Sequence, residues 1–152
     1  MPADSHFIPN DNVIKITSNH VLLIVVAGHQ TKEGVEIIRH ESMKAAQKLR
    51  QSYGNVIVLI DASRIEGRNK EAEEESIKTI KLLDFDVMAV YGLPAESHIA
   101  FEADVAQRHL QNRVRAFNDR RSATSWLACH VCVLRGDPGF DDPGVCDVLP
   151  AN

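Results

Sequence analysis

Residues 56–61, VIVLID, are apolar or β-branched without a break until the final carboxylate. One wet face would impose alternation, so this pattern predicts a strand covered on both sides, at the centre of a sheet. It is expected to end at Asp-Ala-Ser, with a polar loop carrying Gly67 beyond it. Residues 20–27, HVLLIVVA, predict a second central strand closed by Gly28. Residues 13–17, VIKIT, alternate as a strand with one exposed face does. Only Ser18 and Asn19 separate these two, so they pair antiparallel as a hairpin.

Helical spacing takes over at Thr31, an N-cap with Glu33 in the first turn, and runs to about Ser52. Val35, Ile38, Ser42, Ala45 and Leu49 share one face, and Gly54 stops the helix. Asn69 caps a second helix reaching about Leu83, with Ala72, Ile77, Ile80 and Leu83 inward. Its acidic run, Glu71 and Glu73 to Glu75, reads as a solvated helix start favoured by the dipole. Residues 86–91, DVMAVY, predict a fourth strand closed by Gly92. Pro94 suits the first turn of a third helix, with Ile99, Ala103, Ala106 and Leu110 on its inner face. Residues 114–117, VRAF, predict a short edge strand, and Asn118 caps a last helix with Ala123, Trp126 and Leu127 inward. From Val131 the pattern dissolves into a segment with two Asp-Pro-Gly turns.

The predicted order is β-β-α-β-α-β-α-β-α. It defines an α/β fold with a mixed, mainly parallel five-stranded sheet covered by helices. The expected organisation is a loose lead-in over residues 1–11, one domain over 12–130 and an irregular tail over 131–152.

Charge and composition narrow the function. The net charge of -4 disfavours a basic field for nucleic acid. No apolar run approaches the roughly 18 to 20 residues of a membrane span. The first residues show no secretory pattern, and three cysteines make no disulfide framework. A reduced, soluble, cytoplasmic protein is the expectation.

The stretches VIVLIDASRIEG and RAFNDRRSATSWL, about 50 residues apart, carry a family likeness. The first resembles an apolar strand of the form Asp-x-Ser followed by Gly. The second is similar to a closing strand, N-cap and helix ending Ala-x-x-Trp-Leu. Together, over residues 12–128, the chain resembles the SpoIIAA-like branch of the STAS superfamily, often described alongside CRAL-TRIO lipid-transfer folds. The resemblance implies a small regulatory or ligand-binding domain, usually without catalysis. STAS proteins proper are switched by phosphorylating a serine where the helix after the central strand opens. That place reads Arg68-Asn69-Lys70-Glu71, so the switch does not carry over.

In open α/β sheets, ligands bind beyond the carboxyl ends of the strands. His29, Asp61, Ser63, Arg64 and Tyr91 leave three neighbouring strands there, and form the candidate ligand-binding rim. Asp61 and Ser63 equally suit plain loop chemistry, bonding local backbone N–H groups. Cys129-His130-Val131-Cys132, with Cys146, matches no trusted zinc spacing and closes a helix rather than opening one, so it reads as incidental thiols. His98 and Glu102 read as a surface i,i+4 pair. No catalytic residue, metal ligand, cofactor or phosphate loop is identified.

The leading expectation is a non-enzymatic domain that binds a protein partner or a small apolar, lipid-like ligand. Such a ligand would sit in a cavity opened by the third and fourth helices splaying from the sheet. The rivals are a small enzyme using Asp61, His29 and Tyr91 at the strand ends, and a structural homodimerisation module.

Overall fold

A computed structural model describes residues 12–135, except the side chains of Arg68, Cys132, Val133 and Arg135. The elements are β1 (Val13–Ile16), β2 (Leu22–Gln30), α1 (Lys32–Tyr53), β3 (Ile57–Arg68), α2 (Lys70–Leu82), β4 (Val87–Tyr91), α3 (Ala95–Gln107), β5 (Val114–Phe117) and α4 (Arg120–Arg135). The expected lead-in, Cys146 and the Asp-Pro-Gly segment lie outside the described residues. Among the described residues, no helix is long and apolar enough to cross a membrane.

The sheet order is β1-β2-β3-β4-β5, with β1 antiparallel to β2 and all other neighbours parallel. The uninterrupted apolar run sits in the middle, and Val56, Ile57, Val58 and Leu59 are fully buried. Each crossover advances to the next strand in one direction. Right-handed crossovers of that kind put their helices on a single face. Accordingly α1 and α3 contribute to one core cluster, on Ile38, Ala46, Leu49 and Val105. α4 supplies the other, on Ala123, Leu127 and Val131.

Several boundaries differ from the pattern reading. Gly28 does not end β2. It adopts φ 78° and lets the strand run on to Gln30 through a break in register. A buried amide pair holds this break. Asn12 Oδ1 accepts from the Ala27 N–H at 2.8 Å, and Gln30 Nε2 donates to the Ala27 carbonyl at 2.6 Å. Nor does the central strand stop at Asp61. β3 continues to Arg68, paired with the extended β2, where β4 has already left at Tyr91.

On α1, Ala46 rather than Ala45 is buried with Val35, Ile38, Ser42 and Leu49. On α2, the buried residues are Ala72, Glu75 and Thr79, while Ile77 and Ile80 are only half-buried. Glu75 thus leaves the solvated acidic run. Its carboxylate meets Arg39 of α1 at 2.6 Å and Lys78 at 3.3 Å. The Arg39 hydrogen bond and then Lys78 hold the Glu75 carboxyl below its ordinary 4.5, against the opposing effect of burial.

On α3 the inner face was misplaced. Ile99 is 71% exposed and Ala103 and Ala106 are exposed, whereas Leu110 packs against the core as expected but from beyond the end of the helix. Phe101 and Val105 turn inward instead. The helix is rich in alanine, so its sides differ little in hydrophobicity, and the one large ring decides which packs. The cap of α4 is Asp119, not Asn118, since its carboxylate accepts from the Ser122 N–H at 2.8 Å. α4 runs on to Arg135 with Val131 fully buried, so Cys129 and Cys132 sit within a helix.

Candidate functional site

Helix placement on the three-helix face leaves a gap. α2 packs against α1 and is tied to it by the Arg39–Glu75 pair, whose side chains are 14% and 6% exposed. α3 packs against β5 at the far edge. Between them the sheet carries no helix, and a chamber of about 150 Å³ opens there. Its floor is Ile60, Ala62, Met88 and Val90. Ile77 and Ile80 of α2 form one wall, and Leu93 and Phe101 form the other. The cavity expected between the third and fourth helices is therefore misplaced, because α4 lies on the opposite face.

The bulges in β3 explain why a polar stretch can line an apolar space. Val25 and Ala27 pair with Asp61 and Arg64, and Gly28 and His29 pair with Ile65 and Gly67. Each step gives β3 one residue more than β2. An extra residue reverses which side chains face which way. Ile60, Ala62 and Ile65 consequently all reach the chamber, while Arg64 acts on Tyr91.

Four of the five predicted rim residues gather on the α4 face. Asp61 and Tyr91 are register partners, both buried. Asp61 Oδ1 accepts from the Ser63 N–H at 2.9 Å and the Ser63 hydroxyl at 2.6 Å. Burial pushes the Tyr91 phenol above its ordinary 10.0, and Asp61 adds to this by its charge and as the phenol's acceptor. Arg120 and Arg64 pull the other way. The Asp61 carboxylate is thus engaged by its own turn and its neighbour, as buried polar groups generally are. Gly92 closes this corner at φ 83°, so near Ser63 that a Cβ would stand 2.6 Å from the Ser63 Cβ.

His29 does not join them. It is exposed and pairs with Gly67, four residues along β2 from Val25, the partner of Asp61. At strand rise this is about 13 Å. The trio of Asp61, His29 and Tyr91 is not assembled.

Where the β2–β3 ribbon passes the starts of α2 and α3, the chamber opens into a second hollow. This mouth is lined by Ile65, Glu66, Gly67, Glu73, Leu93, Pro94, Glu96 and Ser97. Ile65, Glu73, Leu93 and Ser97 line both spaces. Pattern reading missed the site because its lining comes from six elements, β2, α1, β3, α2, β4 and α3. Glu66 and Gly67 lay in a presumed loop, and Phe101 was on the wrong side of its helix. The i,i+4 pair of Phe101 and Val105 was the available signal.

Among the described residues, no group of three or more His, Cys, Asp and Glu side chains could hold a metal ion. Cys129 is exposed, and the His130 ring lies against Trp126, with Nδ1 3.1 Å from the Trp126 carbonyl. His98 and Glu102 do stand together, at 3.8 Å.

A solved structure shares this architecture. It is an uncharacterised protein of the DUF3478 family, with a SpoIIAA-like fold, from Shewanella loihica. It aligns over 76% of this chain and 91% of its own, at 22% identity and a TM-score of 0.53. The fold is SpoIIAA-like. The anti-sigma factor antagonist SpoIIAA in its unphosphorylated form also aligns, over 73% of this chain and 91% of its own, at 8% identity and a TM-score of 0.46. No protein-family model and no curated protein matches the chain.

Proposed function

We propose that this chain is a non-enzymatic domain of the STAS regulatory type that works by holding a small apolar molecule between α2 and α3. The observation carrying this reading is the chamber, whose floor is continuous with the core. An apolar cavity of about 150 Å³ in another fold stays dry and binds a single aromatic ring. Two features support a role without catalysis or a phosphoserine switch. Asp61 is engaged by Ser63 with His29 held apart along the ribbon. The start of α2 is capped by Asn69, whose Oδ1 accepts from the Ala72 N–H at 2.8 Å.

Toluene tests the reading. A ligand that binds only the folded chain raises its stability, by about 2.7 kcal/mol at a hundredfold excess over Kd. Differential scanning calorimetry with increasing toluene should raise Tm, and ligand-detected NMR should show transfer to the protein. Unchanged Tm together with absent transfer, up to the solubility limit, would remove the chamber as a binding site.

A further inference from the structure

The chamber is long for its volume. Glu73, Ile77, Ile80 and Leu83 follow one stripe along α2 and its C-cap, and all four line it. Glu73 and Leu83 are ten residues apart, about 15 Å of helix rise. On α3 the lining runs from Ser97 to Asp104, about 10 Å by the same rise. Between the helices it runs from Leu93 back to Met88. All three lines start at a residue that also borders the mouth, namely Glu73, Ser97 or Leu93. They lead inward to Leu83 and Met88, which are 4% and 0% exposed. Asp104, on the inner part of the α3 wall, is engaged by Arg108 at 3.2 Å. A space of about 150 Å³ drawn out over this length favours one slender chain over a compact ring.

The lining changes character at Ser97. Inward lie Phe101, Leu83 and Met88, and outward lie Pro94 and Glu96. A serine hydroxyl both donates and accepts, so it suits a ligand hydroxyl, which does the same. We propose that the chamber takes an unbranched aliphatic alcohol end-on, with the hydroxyl at Ser97 and the methyl end against Leu83 and Met88. This rests on the chamber reading above and adds the shape and direction of the ligand. An extended chain advances about 1.2 Å per bond, so about eight carbons span the α3 wall. The inner end therefore measures chain length.

Straight-chain alcohols from pentanol to decanol, titrated into the full chain by calorimetry, test this. Affinity should rise about fourfold with each methylene that is buried, and level off near octanol. The branched isomer 3,3-dimethylbutan-1-ol should bind about tenfold more weakly than hexanol, because its bulk strains a narrow site. Ser97→Ala should weaken every alcohol about fivefold, the net worth of a hydrogen bond, without moving the plateau. Leu83→Ala should move the plateau outward by about two carbons, into the space it vacates. If that variant does not fold, the isomer pair on the parent protein still decides. Equal binding of the two hexanol isomers, or a rise unbroken to decanol, overturns the end-on chain and leaves the toluene result standing. Unchanged affinity in Ser97→Ala overturns the placement of the hydroxyl, and an unmoved plateau in folded Leu83→Ala overturns the inner stop. No binding of any alcohol, with no response to toluene, overturns the chamber reading as well.

Discussion

At residue scale the tightest constraint is Gly92. Its φ of 83° lies where a side chain is strained, and a Cβ there would meet Ser63 at 2.6 Å and its backbone at 2.7 Å. Gly54, at the end of α1, has nearly the same φ of 77° but nothing within 4 Å of an added Cβ. The two positions separate backbone strain from collision. Gly54→Ala should cost about 1–2 kcal/mol, the left-handed penalty alone. Gly92→Ala adds a clash that flexible atoms cannot relieve, and should cost about 1–3 kcal/mol more. Urea midpoints of the two variants check this, and equal losses would show that the Ser63 corner gives way. Of the predicted rim, Asp61, Ser63, Arg64 and Tyr91 were legible as a group because strand ends of a parallel sheet must gather. What they do there was not legible. Only coordinates show that Asp61 spends itself on Ser63 and Tyr91.

At the scale of elements, one charged contact joins the apolar packing that ties α2 to α1. Glu75 sits 6% exposed against Arg39. Its carboxyl titrates below the ordinary 4.5, so between that native value and 4.5 the unfolded chain binds more protons than the folded one. The stabilisation is therefore complete above about 4.5 and is lost as pH falls through the lower native value. Glu75→Gln should lower the urea midpoint near neutrality, since it leaves the Arg39 guanidinium largely buried without its anion. Well below pH 4.5 the parent protein loses the same charge, so the two midpoints should converge. A constant gap across this range would mean that the pair does not hold α2 to α1. This contact was illegible in a run of four glutamates, because sequence spacing alone does not say which of them faces α1. The strands were more legible than their ends. DASRIEGR reads as a loop because two bulges break its period of two, although its backbone pairs through to Arg68. The helices were placed by their caps and stops, Thr31, Gly54 and Asn69, while the Ala-rich α3 gave no periodic signal strong enough to fix its inner side.

At the scale of the whole molecule, the chamber follows from topology. Strands in sequential order commit three helices to one face, and the middle one packs against α1, where Arg39 meets Glu75. The space left is a departure from close packing. At the 24 cal/mol per Å³ found for enclosed core cavities, 150 Å³ would forgo at most about 4 kcal/mol, and less here because the chamber opens at its mouth. That loss predicts the sign of a substitution that would otherwise destabilise. Ala62 is 2% exposed, on the bulged part of β3, and forms part of the floor. In a filled core, Ala62→Leu would overpack and cost about 1–3 kcal/mol. Here the added carbons have room, so the variant should instead gain about 0.5–2 kcal/mol, as cavity-filling changes do. It should also blunt the rise in Tm with toluene, because the new side chain occupies the ligand's place. Chemical denaturation with and without toluene reads both effects on one protein. A destabilised Ala62→Leu that still responds fully to toluene would place the ligand elsewhere, and the SpoIIAA-like sheet would then have to bind through another surface.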